Sequence, residues 1–345
     1  MTEAVSALFS PGRLGPVEFR NGVIMSPMSQ NSAGEDGCAT DWHLVHYGSR
    51  AVGGCGLVLF EDTAVLENGR VSAASLGLYD DAHVAPLARV VDFCKAAGAV
   101  CGIQIAHAGR KAFKERRGAD CDLVSSVDLA FGEGWLAPRA TVADDMPGIV
   151  QGFADGARRA RAAGFGLVEI HAAHGYLLHQ FLSPALNDRT DDWGGTAAGR
   201  EKLLFDVLQA VLTVAGGDMA VIVRLPAQDG LPGGLTSEDI ADLSRRLVAA
   251  GAHGVDVAAG NIVPGLPPVA PEIQHDLARS LLAEGVPAIC GGARDAAHAE
   301  TLVAGATASM VVVGRPILRQ PYWPLQAAQD LGVQPPVPSQ YALAF

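Results

Sequence analysis

The chain has 345 residues, 49% of them hydrophobic and 18% charged, a composition that excludes a disordered chain and supplies a large core. Its 25 basic and 37 acidic residues leave a formal net charge of −12, which argues against a general nucleic-acid or membrane-surface binder. The 41 glycines and 20 prolines form no low-complexity run, so they must punctuate many short elements. The opening MTEAVSALFS lacks the basic and apolar regions of a secretory signal, and no run of 18 uncharged apolar residues offers a membrane span. A cytoplasmic protein with free thiols is expected, since the six cysteines are scattered and none forms CxxC.

Short apolar runs follow in chain order at Val23–Pro27, Leu57–Thr63, Val100–Ala108, Leu167–His174, Val221–Ala227, Gly254–Gly260, Pro287–Gly292 and Met310–Arg315. Most are near-continuously hydrophobic, as strands buried on both faces should be. Amphipathic stretches of helical length alternate with them: Asp41–Val52, Ala82–Ala97, Gly148–Ala163, Arg200–Ala215, Ser237–Ala250, Pro271–Ala283, Ala296–Ala304 and Ile317–Asp330. Thr236-Ser-Glu-Asp reads as a capping box, and Gly98, Gly164, Gly251 and Gly305 read as left-handed C-caps. Eight strands alternating with eight helices predict a single (β/α)8 barrel domain over 1–345. A doubly wound sheet competes, but the first strand is followed by MSQNS rather than a glycine fingerprint.

Two connections are long, Gly109–Pro147 after the third strand and Gly175–Gly199 after the fourth. Both leave the strand ends where barrel active sites sit. The first carries Arg110, Lys111, Lys114, Arg116 and Arg117, either a solvated lid face or a dock for an anion. Polar residues gather at the same strand ends: Gln104 and His107, Glu169, His171 and His174, Arg224, Gly260, Gly292, and Gly314 with Arg315. Glycine turns after strands seven and eight expose backbone N–H groups to a phosphate, and Arg315 adds a planar donor fork. His171 and His174 read as two donors aimed at one substrate oxygen, ahead of a core-satisfied pair or half a metal site. No third ligand stands at zinc spacing, so no metal is expected. Tyr176 has a phenol with an ordinary pKa of about 10 and can act as a general acid.

Ile170-His-Ala-Ala-His-Gly-Tyr-Leu, Gln180-Phe-Leu-Ser-Pro and Asn187-Asp-Arg-Thr-Asp-Asp-Trp-Gly-Gly resemble the Old Yellow Enzyme family of FMN-dependent ene-reductases. So do Met25-Ser-Pro-Met, Gln104-Ile-Ala-His-Ala-Gly-Arg-Lys and Val313-Gly-Arg, and the resemblance runs from about Leu8 to Tyr341. It is strongest to the compact bacterial, thermophilic-like branch. The resemblance implies that Pro27 and Met28 hold the flavin ring, that Ser29 meets its reactive edge, and that Gln104 binds the pyrimidine edge. It places Arg224 where negative charge accumulates on reduced flavin, and Gly292 and Arg315 on the phosphate, with the Gly260 and Gly314 turns beside them. It further implies that NADPH or NADH reduces the flavin, which passes hydride to an α,β-unsaturated carbonyl or nitro compound, an enone or quinone-like small molecule. His171 and His174 would then hold the substrate oxygen and Tyr176 would supply the proton.

Three positions depart from the family pattern. Asn31 stands where relatives often have tyrosine, making one wall of the substrate pocket, shared with Arg110, more polar. Asp62 stands where a small residue is usual. That carboxylate would oppose charge on reduced flavin, bind a substrate hydroxyl or amine, act as a base, or point into the barrel wall. Gln340-Tyr341 is followed by Ala-Leu-Ala-Phe, without the arginine that relatives extend into a neighbouring subunit, so a homo-oligomer would have to form without that finger. A specialised biosynthetic flavin enzyme, or a non-redox barrel binding a phosphorylated ligand, are the competing functions.

Overall fold

Apolar runs buried on both faces need neighbours on both edges, and closing the sheet on itself supplies them. In the computed structural model, which describes residues 6–112, 122–260, 262–267 and 269–344, eight parallel strands close a barrel in chain order. They are β1 (Val23–Met25), β2 (Leu57–Ala64), β3 (Val100–Ala106), β4 (Leu167–His171), β5 (Ala220–Pro226), β6 (Val255–Ala258), β7 (Ala288–Cys290) and β8 (Val311–Val313). Closure is direct: Val311 of β8 pairs with Val23 of β1.

Eight principal helices surround the barrel: α1 (Asp41–Val52), α2 (Val84–Ala96), α3 (Asp145–Ala162), α4 (Ala197–Ala215), α5 (Ser237–Ala249), α6 (Pro271–Ala283), α7 (Ala296–Ala304) and α8 (Trp323–Asp330). The capping box of α5 forms, with Thr236 Oγ1 accepting from Asp239 N at 3.2 Å and Asp239 Oδ2 accepting from Thr236 N at 2.9 Å. Several expected bounds shift. The helix expected over Ile317–Asp330 is two, Arg315–Arg319 and α8, because Gln320 is forced extended ahead of Pro321. The expected left-handed cap at Gly305 is also wrong: Gly305 has φ −85° and the next residue, Ala306, takes φ +50°.

The sequence reading missed several short elements, among them the helix Leu177–Leu182 and the paired strands Val124–Ser125 and Arg139–Ala140 inside the two long connections. It also missed a hairpin, Gly12–Leu14 with Val17–Phe19, which lies across the N-terminal end of the barrel. Its Leu14 and Phe19 pack on Ile24, Leu57, Leu59, Leu167, Ile222 and Ile289 inside the barrel. The floor is therefore an apolar plug, and the charged side chains inside the barrel gather at the opposite end.

The strand β2 carries the irregularity that matters most. Phe60 pairs with Ile103 and Thr63 with Ile105, so Glu61 and Asp62 together oppose the single residue Gln104. Such a bulge breaks the in–out alternation and re-aims side chains, as bulges beside active sites do. Both carboxyl groups are buried as a result.

Candidate active site

The C-terminal mouth is built on strand register. Gln104 of β3 lies beside Glu169 of β4, and His171 of β4 beside Arg224 of β5, which in turn lies beside Asp256 of β6. Gln104 Nε2 donates to Glu169 Oε1 at 2.6 Å, which leaves its amide oxygen without a partner among the described residues. Arg224 Nε stands 3.0 Å from Asp256 Oδ2 without hydrogen-bond alignment. Burial pushes both Glu169 and Asp256 up, and the charge of Arg224 opposes this for each. Two buried carboxyls against one guanidinium favour retention of a proton between them.

Beside this layer a cavity of about 420 Å³ opens, lined among others by Ser26, Arg224, Gln274, Gly291, Gly292, Gly314 and Arg315. Gly292 has φ +88°, and a Cβ there would stand 2.5 Å from Gln274 Nε2, so only glycine fits this turn. Gly260 is equally constrained, since a Cβ would meet the His174 ring at 2.0 Å. Arg315 is exposed at the rim and makes no ion pair among the described residues. An unpaired guanidinium and bare glycine backbone around a cavity of this size fit the phosphate end of a flavin mononucleotide. Arg224 and the free oxygen of Gln104 fit its ring. Pro27 and Met28 follow β1 at this rim, and Ser29 and Asn31 continue the same loop. Asn31 adopts φ +50° and its Oδ1 accepts from Ser72 Oγ at 2.5 Å, so its carboxamide is tied down.

The histidine pair sits where β4 ends. His171 Nδ1 accepts from Ala173 N at 3.2 Å, so in the neutral ring the proton is on Nε2. That Nε2 lies 3.3 Å from His174 Nδ1, which makes His171 the donor and leaves the His174 proton on its own Nε2. The two rings are edge-on, with centroids 5.1 Å apart. Desolvation holds both histidines well below the usual range, helped by Arg224 and Lys111, and for His171 by His174 as well. Both are neutral at pH 7. The pair thus forms a relay with one outward N–H rather than two parallel donors. Tyr176 packs edge-on to His171 at 4.5 Å, and burial keeps its phenol protonated. Its hydroxyl donates to Asp62 Oδ2 at 3.4 Å, while Ser29 Oγ donates to Asp62 Oδ1.

Side chains from the long loops hold these residues in place. Gly175 N donates to His179 Nδ1, whose Nε2 meets the buried Asp229 at 2.7 Å. Gln180 Nε2 donates to Gly175 O at 2.6 Å and Gln180 Oε1 accepts from Ser125 Oγ, tying the His174 turn to the preceding loop. Asn187 Nδ2 donates to the carbonyls of Phe181 and Trp193. Much of the sequence signature after β4 is thus scaffolding. Arg110 is buried, with its Nη2 3.4 Å from Ile262 O and its guanidinium over the Phe131 ring. Lys111, which sequence reasoning left in a general basic cluster, donates to His174 O at 2.6 Å and covers the Tyr176 ring. Its burial lowers its pKa to about 8. Lys114, Arg116 and Arg117 lie outside the described residues. Among the described residues no three His, Cys, Asp or Glu side chains converge as metal ligands, and no helix is long and apolar enough to cross a membrane.

A parallel barrel whose mouth gathers a glycine- and arginine-lined cavity, a neutral histidine pair and a desolvated phenol defines a flavin-binding barrel oxidoreductase. The model of the NADH:flavin oxidoreductase / NADH oxidase family matches residues 7–334. The chain is 40% identical to an NADPH dehydrogenase of Listeria welshimeri, covering 99% of this chain and all of that one. It is also 40% identical to an NADPH dehydrogenase of Geobacillus thermodenitrificans, over 97% of this chain and 98% of that one. Among solved structures, morphinone reductase superposes with a TM-score of 0.82 at 28% identity, over 97% of this chain and 92% of that one. A 2-naphthoyl-CoA reductase superposes with a TM-score of 0.87 over 94% of this chain and 52% of that one; at 23% identity it supports the fold alone. The chain belongs to the NADH:flavin oxidoreductase / NADH oxidase family, the Old Yellow Enzyme family of FMN-dependent oxidoreductases.

Proposed function

We propose that this protein uses NADPH or NADH to reduce the C=C bond of α,β-unsaturated carbonyl or nitro compounds. The observation that carries this reading is the desolvated trio of His171, His174 and Tyr176, all uncharged at neutral pH and packed edge to edge beside the cofactor cavity. Bound FMN supplies hydride transfer. The chain supplies the rest. The outward Nε2–H of His174, polarised by the donor behind it in His171, binds the substrate oxygen and stabilises charge as it develops there. Tyr176 Oη delivers a proton to the α-carbon of the substrate. Lys111 holds the His174 carbonyl and screens the phenol from above, while Arg110 and Phe131 form the lid wall. The "NADPH dehydrogenase" name of the Listeria and Geobacillus relatives favours NADPH over NADH.

The test is an anaerobic two-step reaction. FMN-loaded enzyme is reduced with NADPH, then mixed with 2-cyclohexenone while flavin reoxidation and saturated product are followed. Reoxidation with one equivalent of cyclohexanone supports the assignment. Reduced enzyme that oxygen reoxidises and no enone or nitroalkene does would overturn it.

A further inference from the structure

Asp62 is a group at the mouth that the proposed reduction leaves without a task. It is buried. The bulge at Glu61–Asp62 sends the two neighbouring carboxyls to different partners. Glu61 is fully occupied in the wall: its Oε2 accepts from Gln30 N at 2.7 Å, and its Oε1 accepts from the Tyr47 hydroxyl and lies 3.3 Å from His43 Nε2. Among the described residues, Asp62 instead hydrogen-bonds at the reacting end, to Ser29 on one oxygen and the proposed proton donor Tyr176 on the other.

We infer that Asp62 is the proton reservoir behind Tyr176: it is a positioning residue that restores the proton Tyr176 gives to substrate. The inference rests on the ene-reduction reading above. The step balances as follows. The Tyr176 O–H bond breaks as a C–H bond forms at the substrate α-carbon. The phenolate oxygen takes the proton of the Asp62 carboxyl, whose O–H bond breaks. The resulting carboxylate keeps the Ser29 hydroxyl as a donor and later recovers a proton from solvent. Without such a neighbour, Tyr176 would be left as a phenolate in a half-buried, largely desolvated position, a costly state.

Every group facing Asp62 is consistent with a carboxyl that holds its proton near neutrality yet releases it on demand. Burial raises its pKa to about 7; the Ser29 and Tyr176 hydroxyls oppose the rise, and the nearby Glu61 charge adds to it. Lys111, over the Tyr176 ring, is a cation that favours the ionised form of Asp62, and Tyr47 on α1 is a neutral phenol on the far side of Glu61. With its pKa raised, Asp62 carries the proton below about pH 7 and loses it above. An ionised Asp62 both empties the reservoir and repels phenolate formation at Tyr176, so proton delivery should slow as pH rises.

Two measurements on the FMN-loaded protein test this. The first uses no substrate: infrared difference spectra across pH 5–9 should show a carboxylic C=O band that disappears with a midpoint near neutrality. The band should be absent in D62N and shifted in midpoint in Y176F. The second follows reoxidation of reduced enzyme by 2-cyclohexenone in single turnover. The wild-type rate should fall up to tenfold per pH unit above the midpoint. D62N should be flat across the range and several-fold slower than wild type at low pH. S29A, which removes an opposing hydrogen bond, should move the inflection upward and keeps the test available if D62N folds poorly. A D62N profile superimposable on wild type, or no titrating band that D62N removes, overturns the reservoir. If no enone reoxidises the enzyme while the band titrates and answers to Y176F, the functional reading falls and the Asp62–Tyr176 coupling stands.

Discussion

The two ends of this barrel are made from the same eight strands and have opposite chemistry. At the N-terminal end, Ile24, Leu57, Leu59, Leu167 and Ile222 interdigitate, and a hairpin seals them with Leu14 and Phe19. At the C-terminal end the inward positions of those strands and their neighbours are Gln104, Glu169, Arg224 and Asp256, crowned by His171, His174 and Tyr176. The floor is satisfied by dispersion and exclusion of water, which need no orientation. The mouth crowds the buried carboxyls of Glu169 and Asp256 against Arg224 without well-aligned hydrogen bonds to it among the described residues, together with His174 at φ +57° and Asn31 at φ +50°. Stability is concentrated at one end, and the strain and crowded polarity that ligand chemistry uses are concentrated at the other.

Breaking the mouth should cost reaction far more than folding. Replacing Tyr176 by Phe, or His174 by Ala, is expected to slow enone-driven reoxidation by about a hundred- to ten-thousand-fold. Flavin absorbance should persist, and stopped-flow spectra read both quantities at once. Breaking the floor should do the reverse. Phe19→Ala removes the aromatic plug and should lower unfolding free energy by about 3–5 kcal/mol in urea titrations, with turnover per bound flavin unchanged. If Phe19→Ala also alters turnover, the two ends are coupled through the strands and the division is weaker than drawn.

A smaller effect joins the two ends through pH. Burial raises the folded-state pKa of Asp62 from its ordinary 3.8 to about 7, so the folded protein binds a proton there that the unfolded chain releases. Stability from this group is therefore highest at low pH and declines as pH rises from about 4 to about 7. D62N should remove that decline and be more stable than wild type at pH 8 by on the order of 1–3 kcal/mol, with little difference at pH 4; chemical denaturation at the two pH values decides it. The smallest effect is a control belonging to neither end. Thr236→Ala removes the α5 cap and should cost about 1 kcal/mol, with no change in flavin spectrum or in the pH response.

Most of the barrel was legible because burial on both faces writes itself into the chain as continuous apolar runs, and helices as periodic ones. The hairpin was not, because three-residue strands such as Gly12–Leu14 carry too little pattern to register. The broken C-terminal helix was legible in principle, since Pro321 and Pro324 stand inside the apolar period that suggested one continuous helix. At the site, residue types at strand ends singled out His171, His174, Tyr176, Arg224 and Arg315 as candidates, and the fold gathers them at one mouth. Lys111 was hidden in a run of basic residues, and only the turn at Gly109–Lys111 separates its part from theirs. The orientation of the histidine pair also lay beyond sequence, because a tautomer is set by the neighbouring N–H of Ala173.

The sequence by itself determined the alternation of strands and helices, the membership of a flavin family and the set of polar residues gathered at one end, since each depends on local pattern or short contiguous motifs. Only the tertiary structure decided where Asp62 points. Its direction depends on an extra residue in β2 relative to β3, a property of the pairing between two strands and of neither strand alone. That single slip in register separates a carboxyl lost in the barrel wall from one in contact with Tyr176, the proposed proton donor.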